Sequence, residues 1–170
     1  LPGETVPNDC NTCTCVAGTW SCTELQCVAR CEALGDPHYI TFDRKYYDFM
    51  GKCSYYLLQH SNYTVAAENV PCDGSISENM GFSIFALPTM PSCTKSVTIT
   101  VGDVVIKLKQ GKEVTVNGKD EPLPILLKQA YIREASSIFV QVELFDGVEV
   151  WWDGITRVYI DVPPELKGKT

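Results

Sequence analysis

Histidine is scarce in this sequence, with His38 and His60 the only two, and long apolar runs are missing. Two imidazoles leave little material for a His-based metal centre or a Ser-His-Asp constellation. Gly-x-Ser-x-Gly and a phosphate-cradling Gly-rich loop are also lacking, so nothing in the pattern calls for an enzyme acting on other molecules. No stretch reaches about 18 consecutive apolar residues, which excludes a membrane-spanning helix. The first residues, Leu1-Pro2-Gly3-Glu4-Thr5, lack the basic and apolar regions of a signal peptide, so such a signal is expected upstream or already removed. Basic side chains are in the minority: 14 Lys and Arg against 21 Asp and Glu give a net charge of -7. That balance argues against nucleic acid and anionic membrane surfaces as partners.

What is present describes a small folded protein of oxidising surroundings. Of 170 residues, 45% are hydrophobic and 21% charged, enough to bury a core in one main domain with a small appendage. Six of the nine cysteines (Cys10, Cys13, Cys15, Cys22, Cys27 and Cys31) crowd the N-terminal end. Such density fits an extracellular segment held by disulfides because it has too little core of its own. A zinc site or a redox Cys-x-x-Cys competes poorly, since no His lies in the stretch and no strand-to-helix pattern surrounds Cys10 and Cys13. The sequon Asn62-Tyr63-Thr64 makes Asn62 a candidate glycosylation site and agrees with secretion. His60, beside it in a polar stretch, is expected in a loop.

Apolar periodicity is two rather than 3.6. Val97, Ile99 and Val101 alternate with Thr98 and Thr100, and Val104, Ile106 and Leu108 with Val105 and Lys107, across a Gly102-Asp103 turn; this is a hairpin pattern. Similar runs cover Glu113 to Val116, Phe139 to Leu144, Val148 to Trp152 and Val158 to Val162, with turn signals at Asn117-Gly118, Asp146-Gly147 and Asp153-Gly154. The expected fold is all-β, an antiparallel β-sandwich without a helix of any length, preceded by a disulfide-stapled module of two or three strands in residues 1–30, with Trp20 as its large anchor. The aromatics Tyr39, Phe42, Tyr46, Tyr47, Phe49, Tyr55 and Tyr56 are expected to form strand faces and core. The stretch from Cys72 to Cys93 reads as a loop excursion pinned by its two cysteines.

Two signatures in series carry a family resemblance. Gly35-Asp36-Pro37-His38-Tyr39-Ile40-Thr41-Phe42-Asp43 resembles the opening of a von Willebrand factor type D domain. The preceding Cys-x-x-Cys-x-Cys-x6-Cys-x4-Cys ladder, with Trp20 two residues before Cys22, looks like the small E module that precedes such domains, and also like the first half of a type C domain. The run Cys31-Glu32-Ala33-Leu34-Gly35-Asp36-Pro37-His38 favours the E module. The resemblance implies an E-like module in residues 1–30 and a D domain in 31–170. It implies bridges Cys10–Cys27 and Cys13–Cys22, with Cys15 joined to a partner before Leu1, while Cys72 and Cys93 pair across their loop. It implies that Cys31 joins a Cys-Gly-Leu-Cys type motif after the last strand and that Cys53 reaches farther downstream. The sequence ends at Gly168-Lys169-Thr170, where that motif is expected, so the 170 residues read as part of a longer secreted protein.

The same run holds two candidate sites. The Asp36–Pro37 bond is a tertiary amide with a carboxyl placed to attack its own carbonyl carbon, and His38 next to it can supply a proton to the departing nitrogen. Imidazole titration near neutrality would link such cleavage to mildly acidic secretory compartments. Some D domains with this Gly-Asp-Pro-His run cleave themselves and others remain uncut; after cleavage the halves are expected to stay joined by disulfides. The plain alternative is a tight turn that aims the first strand. Asp43 matches a carboxylate that helps bind calcium in the family. Calcium takes six to eight oxygens, so Asp43 is at most a partial Ca2+ ligand, and Arg44 stands where the family usually has Gly. The plain reading of Asp43 is a strand-end hydrogen-bond acceptor.

The resemblance implies a non-catalytic module of an extracellular multidomain glycoprotein that supports adhesion, clotting or gel-forming assembly. Its implied partners are other domains of the same protein, other subunits and extracellular protein ligands. Two other classes share the domain. One is a growth-factor-binding module of a secreted bone morphogenetic protein antagonist, and the other is the tail of a yolk-type lipid carrier.

Overall fold

The computed structural model describes residues 1–35, 38–72 and 91–168. In the N-terminal module β1 (Thr5–Asn8), β2 (Asn11–Val16) and β3 (Thr19–Cys22) form a three-stranded antiparallel sheet. Its strands are almost wholly exposed, and the only buried residue is Cys13. Trp20 does not anchor this module as its size suggested: it lies on the edge strand β3 of a single small sheet with no second layer to cover it, and is 52% exposed. Disulfides hold the sheet in place of a core: Cys10–Cys27 closes its end and Cys13–Cys22 crosses from β2 to β3.

The rest of the chain is a two-sheet sandwich. Along the chain follow β4 (Ala29–Leu34), β5 (His38–Ile40), β6 (Tyr46–Asp48), β7 (Ser54–Gln59), β8 (Tyr63–Pro71), β9 (Ser92–Val101) and β10 (Val104–Leu108). Then come β11 (Val114–Val116), β12 (Lys119–Asp120), β13 (Ile125–Leu126), β14 (Ala130–Glu134), β15 (Val140–Leu144), β16 (Glu149–Trp152) and β17 (Val158–Val162). One sheet has six strands in the order β12-β11-β10-β9-β8-β7, and the other has eight in the order β13-β14-β15-β16-β17-β4-β5-β6. Every described pairing is antiparallel. The only helical pieces among the described residues are single 3-10 turns at Gln110–Lys112 and Pro164–Leu166.

Alternation places the apolar side chains between the sheets. Val65, Val97, Ile99, Ile106 and Leu108 from the first sheet meet Ile132, Val140, Val142, Val150, Trp152, Val158 and Ile160 from the second, all completely buried. Three polar links cross the sandwich. Trp152 Nε1 donates to the Lys109 carbonyl at 2.8 Å, Tyr63 Oη to Asp146 Oδ2 at 2.7 Å, and Asn69 Nδ2 to Tyr39 Oη at 2.6 Å. Each satisfies a group that would otherwise be buried without a partner.

The strand that begins the second unit, β4, is inserted between β17 and β5, with Ile160 opposite Cys31. On its outer face Arg30 makes two 2.6 Å hydrogen bonds to Asp161 and lies 5.2 Å from the Tyr159 ring centroid. This bidentate pair ties the chain leaving the module to the last strand of the sandwich.

Gly154 shows how tightly one connection closes. Its φ is +77°, and a Cβ there would lie 2.6 Å from Lys112 Cγ and 2.8 Å from the Lys112 nitrogen, while its carbonyl accepts from Gly111 N–H. Gly154→Ala is therefore expected to cost about 1–3 kcal/mol, read as a lower midpoint in chemical denaturation with an unchanged slope.

Candidate functional site

The Gly-Asp-Pro-His segment links β4 to β5. Leu34 pairs with His38, and Gly35 takes a positive φ of 55°. Asp36 and Pro37 lie outside the described residues. His38 begins β5 on the outward face, and its register partner across the edge strand is Asp48. Nδ1 of His38 lies 2.7 Å from Asp48 Oδ1, with both side chains about two-thirds exposed.

One residue along, alternation turns Tyr39 inward. Its ring stacks on Tyr47 with centroids 5.2 Å apart and meets Phe49 edge-on at 6.3 Å; Phe49 in turn meets Tyr55 edge-on at 4.7 Å. The aromatic run is thus only partly core. Tyr39 is 7% exposed, but Tyr46, Tyr47, Phe49 and Tyr56 range from 40% to 76%, because β6 and β7 are the free edges of their sheets and nothing described covers them.

The three cysteines outside bridges sit in different surroundings. Cys15 is half-buried in β2, Cys31 is buried in β4, and Cys53 is exposed just before β7. Burial, helped by the neighbouring Glu32 charge, pushes the Cys31 thiol up to about 12 from an ordinary 9.0. In the isolated chain, where Cys31 has no bridging partner, its thiol is therefore expected to react slowly while the fold is intact. Alkylation at mildly alkaline pH is expected to modify Cys53 well before Cys31, which reacts only as the sandwich opens. The pH consequence has a definite sign. Between the ordinary thiol value and about 12 the unfolded chain releases the Cys31 proton and the folded chain keeps it, so stability is full below that window and falls as pH rises through it. Tyr39 and Tyr63, both pushed up first by burial, act in the same direction. A thermal melt series is expected to show Tm falling from about pH 9 upward, and less steeply in Cys31→Ala.

Disulfides join Cys10 to Cys27, Cys13 to Cys22 and Cys72 to Cys93. None of the three spans the Asp36–Pro37 bond. Disulfide linkage of two cleaved halves would therefore need one of the other cysteines; within this chain the described tie across that bond is the hydrogen-bonded seat of β4 between β17 and β5.

Asp43 follows the short β5 in an exposed turn. Its carboxylate accepts from Thr41 Oγ1 and pairs with Lys45 Nζ at 2.9 Å, and these two partners, Thr41 first, hold it below the usual carboxylate range. Arg44 occupies a left-handed conformation with φ 63° and pairs with Asp9 Oδ1 of the module at 3.1 Å. That conformation suits the Gly usual at this place in the family. A carboxylate already paired with an ammonium is one oxygen donor group, not a calcium shell. The only close group of three acidic, Cys or His side chains among the described residues is Asp9, Cys10 and Cys27, and two of those are joined as a disulfide. The described donors do not by themselves fit calcium.

Asn62 is exposed in the turn between β7 and β8. Its backbone N–H donates to His60 Nδ1 at 3.3 Å, and His60 stacks on Tyr63 with centroids 4.6 Å apart.

Sequence reasoning missed Asn11. Asn11 Oδ1 accepts from Thr23 Oγ1 at 2.8 Å and from Leu25 N–H at 2.7 Å, and its Nδ2 donates to the Leu25 carbonyl at 3.1 Å. One side chain thereby pins an exposed loop between Cys22 and Cys27, with Leu25 standing out at 61% exposure. Its signal was local, an Asn directly after a Cys in a segment without apolar core. Asp48 was also missed, because its pairing with His38 depends on the register of β5 and β6.

Comparison with known proteins agrees with this architecture. Residues 1–35 match the family model of the pacifastin inhibitor (LCMII), and the cysteine ladder thus has a second similarity besides the E module. SCO-spondin of Gallus gallus is 38% identical over 171 residues, covering 99% of this chain and 3% of that protein. Mucin-5AC and mucin-2 of Homo sapiens are each 34% identical over 98% of this chain, again 3% of their own length. The chain thus spans a small part of each relative. No helix among the described residues is long and apolar enough to cross a membrane, and the disulfides suit an oxidising, extracellular location. The model of the von Willebrand factor type D domain matches residues 31–170, and the chain belongs to that family.

Proposed function

We propose that this chain is a non-catalytic structural module of a large extracellular glycoprotein and supports gel-forming or adhesive assembly through covalent links to other domains and subunits. The observation that carries this reading is the division of its cysteines: six are closed into three bridges and Cys15, Cys31 and Cys53 are not. Mucins among the relatives favour gel-forming assembly over the growth-factor and lipid-carrier readings. Asn62 is proposed to carry a glycan, and Asp43 to contribute one carboxylate to calcium if other segments supply the remaining oxygens. The test is secretion of the longer protein with Cys15, Cys31 and Cys53 changed to Ser. Loss of disulfide-linked species on non-reducing gels, or retention in the cell, supports the reading; unchanged covalent assembly overturns it.

Self-cleavage at Asp36–Pro37 belongs to the same proposal. Mild acid is expected to release a fragment beginning at Pro37, and because none of the three bridges spans that bond, denaturation separates it from the isolated chain without reductant. An intact chain across the acidic range overturns this part.

A second reading is favoured for residues 1–35 by their similarity to pacifastin inhibitors. An exposed loop held between two disulfides and pinned by Asn11 is preorganised for a protease cleft, which removes much of the ordering cost of binding. Titration against a panel of endopeptidases tests it. Nanomolar inhibition weakened roughly tenfold or more in Asn11→Ala supports inhibition; no inhibition at micromolar chain removes it.

A further inference from the structure

The loop between Cys22 and Cys27 presents one residue in particular. Bridges Cys13–Cys22 and Cys10–Cys27 fix both of its ends, and Asn11 holds the residues on either side of Glu24. Asn11 Oδ1 accepts from Thr23 Oγ1 at 2.8 Å and from Leu25 N–H at 2.7 Å, while Thr23 N–H donates to the Thr12 carbonyl at 3.1 Å. Glu24 itself is exposed and, among the described residues, enters no hydrogen bond or ion pair. Leu25 and Gln26 line a groove with Pro163 and Lys167 of the sandwich, and Glu24 does not. The loop thus turns its held residues toward the rest of the chain and leaves Glu24 to solvent.

We propose that Glu24 is the specificity-determining residue of this module and that its partner is a serine endopeptidase selecting acidic side chains. This inference rests on the protease-inhibitor reading of residues 1–35. A peptide bond is readily re-formed after attack when its leaving nitrogen stays in place, and the bond whose nitrogen Asn11 holds is Glu24–Leu25. In the step, the hydroxyl oxygen of the protease bonds to the Glu24 carbonyl carbon. The carbon–nitrogen bond to Leu25 breaks with its electron pair going to nitrogen, and the hydroxyl proton ends on that nitrogen. Asn11 and the two bridges keep the new amine beside the ester, so re-formation of the peptide bond outruns hydrolysis. Charge then selects the enzyme. A trypsin-type pocket carries an aspartate that repels Glu24, and a chymotrypsin-type pocket is an apolar slot in which a carboxylate loses its water without gaining a partner. A pocket with cationic donors satisfies it through charge-assisted hydrogen bonds.

The experiment titrates the whole chain, Glu24→Gln and Glu24→Arg against three serine endopeptidases: glutamate-selective, trypsin-type and chymotrypsin-type. Because Glu24 is exposed and without a partner among the described residues, both variants are expected to fold as the parent does. The parent is expected to inhibit only the glutamate-selective enzyme. Glu24→Gln is expected to weaken that inhibition about 10- to 100-fold, as loss of hydrogen bonds to a charged group implies, and Glu24→Arg to transfer inhibition to the trypsin-type enzyme. Inhibition of the glutamate-selective enzyme that both variants retain, or inhibition by the parent of another enzyme instead, overturns the role of Glu24 and leaves the inhibitor reading standing. Rapid turnover of the parent at Glu24–Leu25, or no inhibition of any of the three, overturns the inhibitor reading, and the role of Glu24 falls with it.

Discussion

Trp152→Ala is expected to lower the stability of the sandwich by about 3–5 kcal/mol, the largest effect of any single substitution proposed for this chain. Trp152 is completely buried and is the largest side chain in the core. It also crosses between layers, since its Nε1 on β16 donates to the Lys109 carbonyl beyond β10 at 2.8 Å. Alanine would leave a cavity between the sheets and an acceptor without its partner. Trp152→Phe separates the two effects. It keeps most of the apolar contact and orphans the Lys109 carbonyl, for an expected cost of about 1–3 kcal/mol. At about 2–4 °C per kcal/mol for a chain of this size, thermal melts resolve the two variants. Equal melting points for Trp152→Ala and Trp152→Phe would show that packing at this position contributes little.

Opening Cys13–Cys22 by serine replacement of both residues is expected to unfold the N-terminal module and spare the sandwich. Within that module Cys13 is the only buried side chain, so the chain there has almost no apolar burial to offset its conformational entropy. Loss of a native bridge in such a segment costs about 2–5 kcal/mol, enough to abolish its fold. Hydrogen exchange is the measurement: amides of β1 to β3 lose protection, while those of β9, β10 and β15 to β17 keep it. Loss of protection in both regions together would mean that the module and the sandwich are one cooperative unit, joined through contacts such as Arg44 with Asp9.

The hairpins were legible because their information is local. Val97, Ile99 and Val101 alternate with threonines and turn at Gly102-Asp103, and the structure buries all three apolar residues on one side of β9. The same holds for β15 and β16 around Asp146-Gly147. The seat of β4 was not legible, because Ala33 pairs with Val158 at the far end of the chain and no periodicity encodes which strands become neighbours. Exposure of Tyr46 and Tyr56 was hidden for a related reason. Aromatic residues favour strands, but their burial depends on whether the strand lies inside a sheet or at its edge. At the candidate site His38 was identified from the motif, whereas Asp48 became visible only with the β5–β6 register. Arg44 was recognised as a departure from the family's usual Gly; its pairing with Asp9 needed the fold.

Disulfide mapping of the full-length secreted protein, by peptide mass before and after reduction, tests the central claim most directly. The account predicts Cys10–Cys27, Cys13–Cys22 and Cys72–Cys93 within these residues, and bridges from Cys15, Cys31 and Cys53 to cysteines outside them. Finding those three as free thiols, or joined to one another, would contradict it.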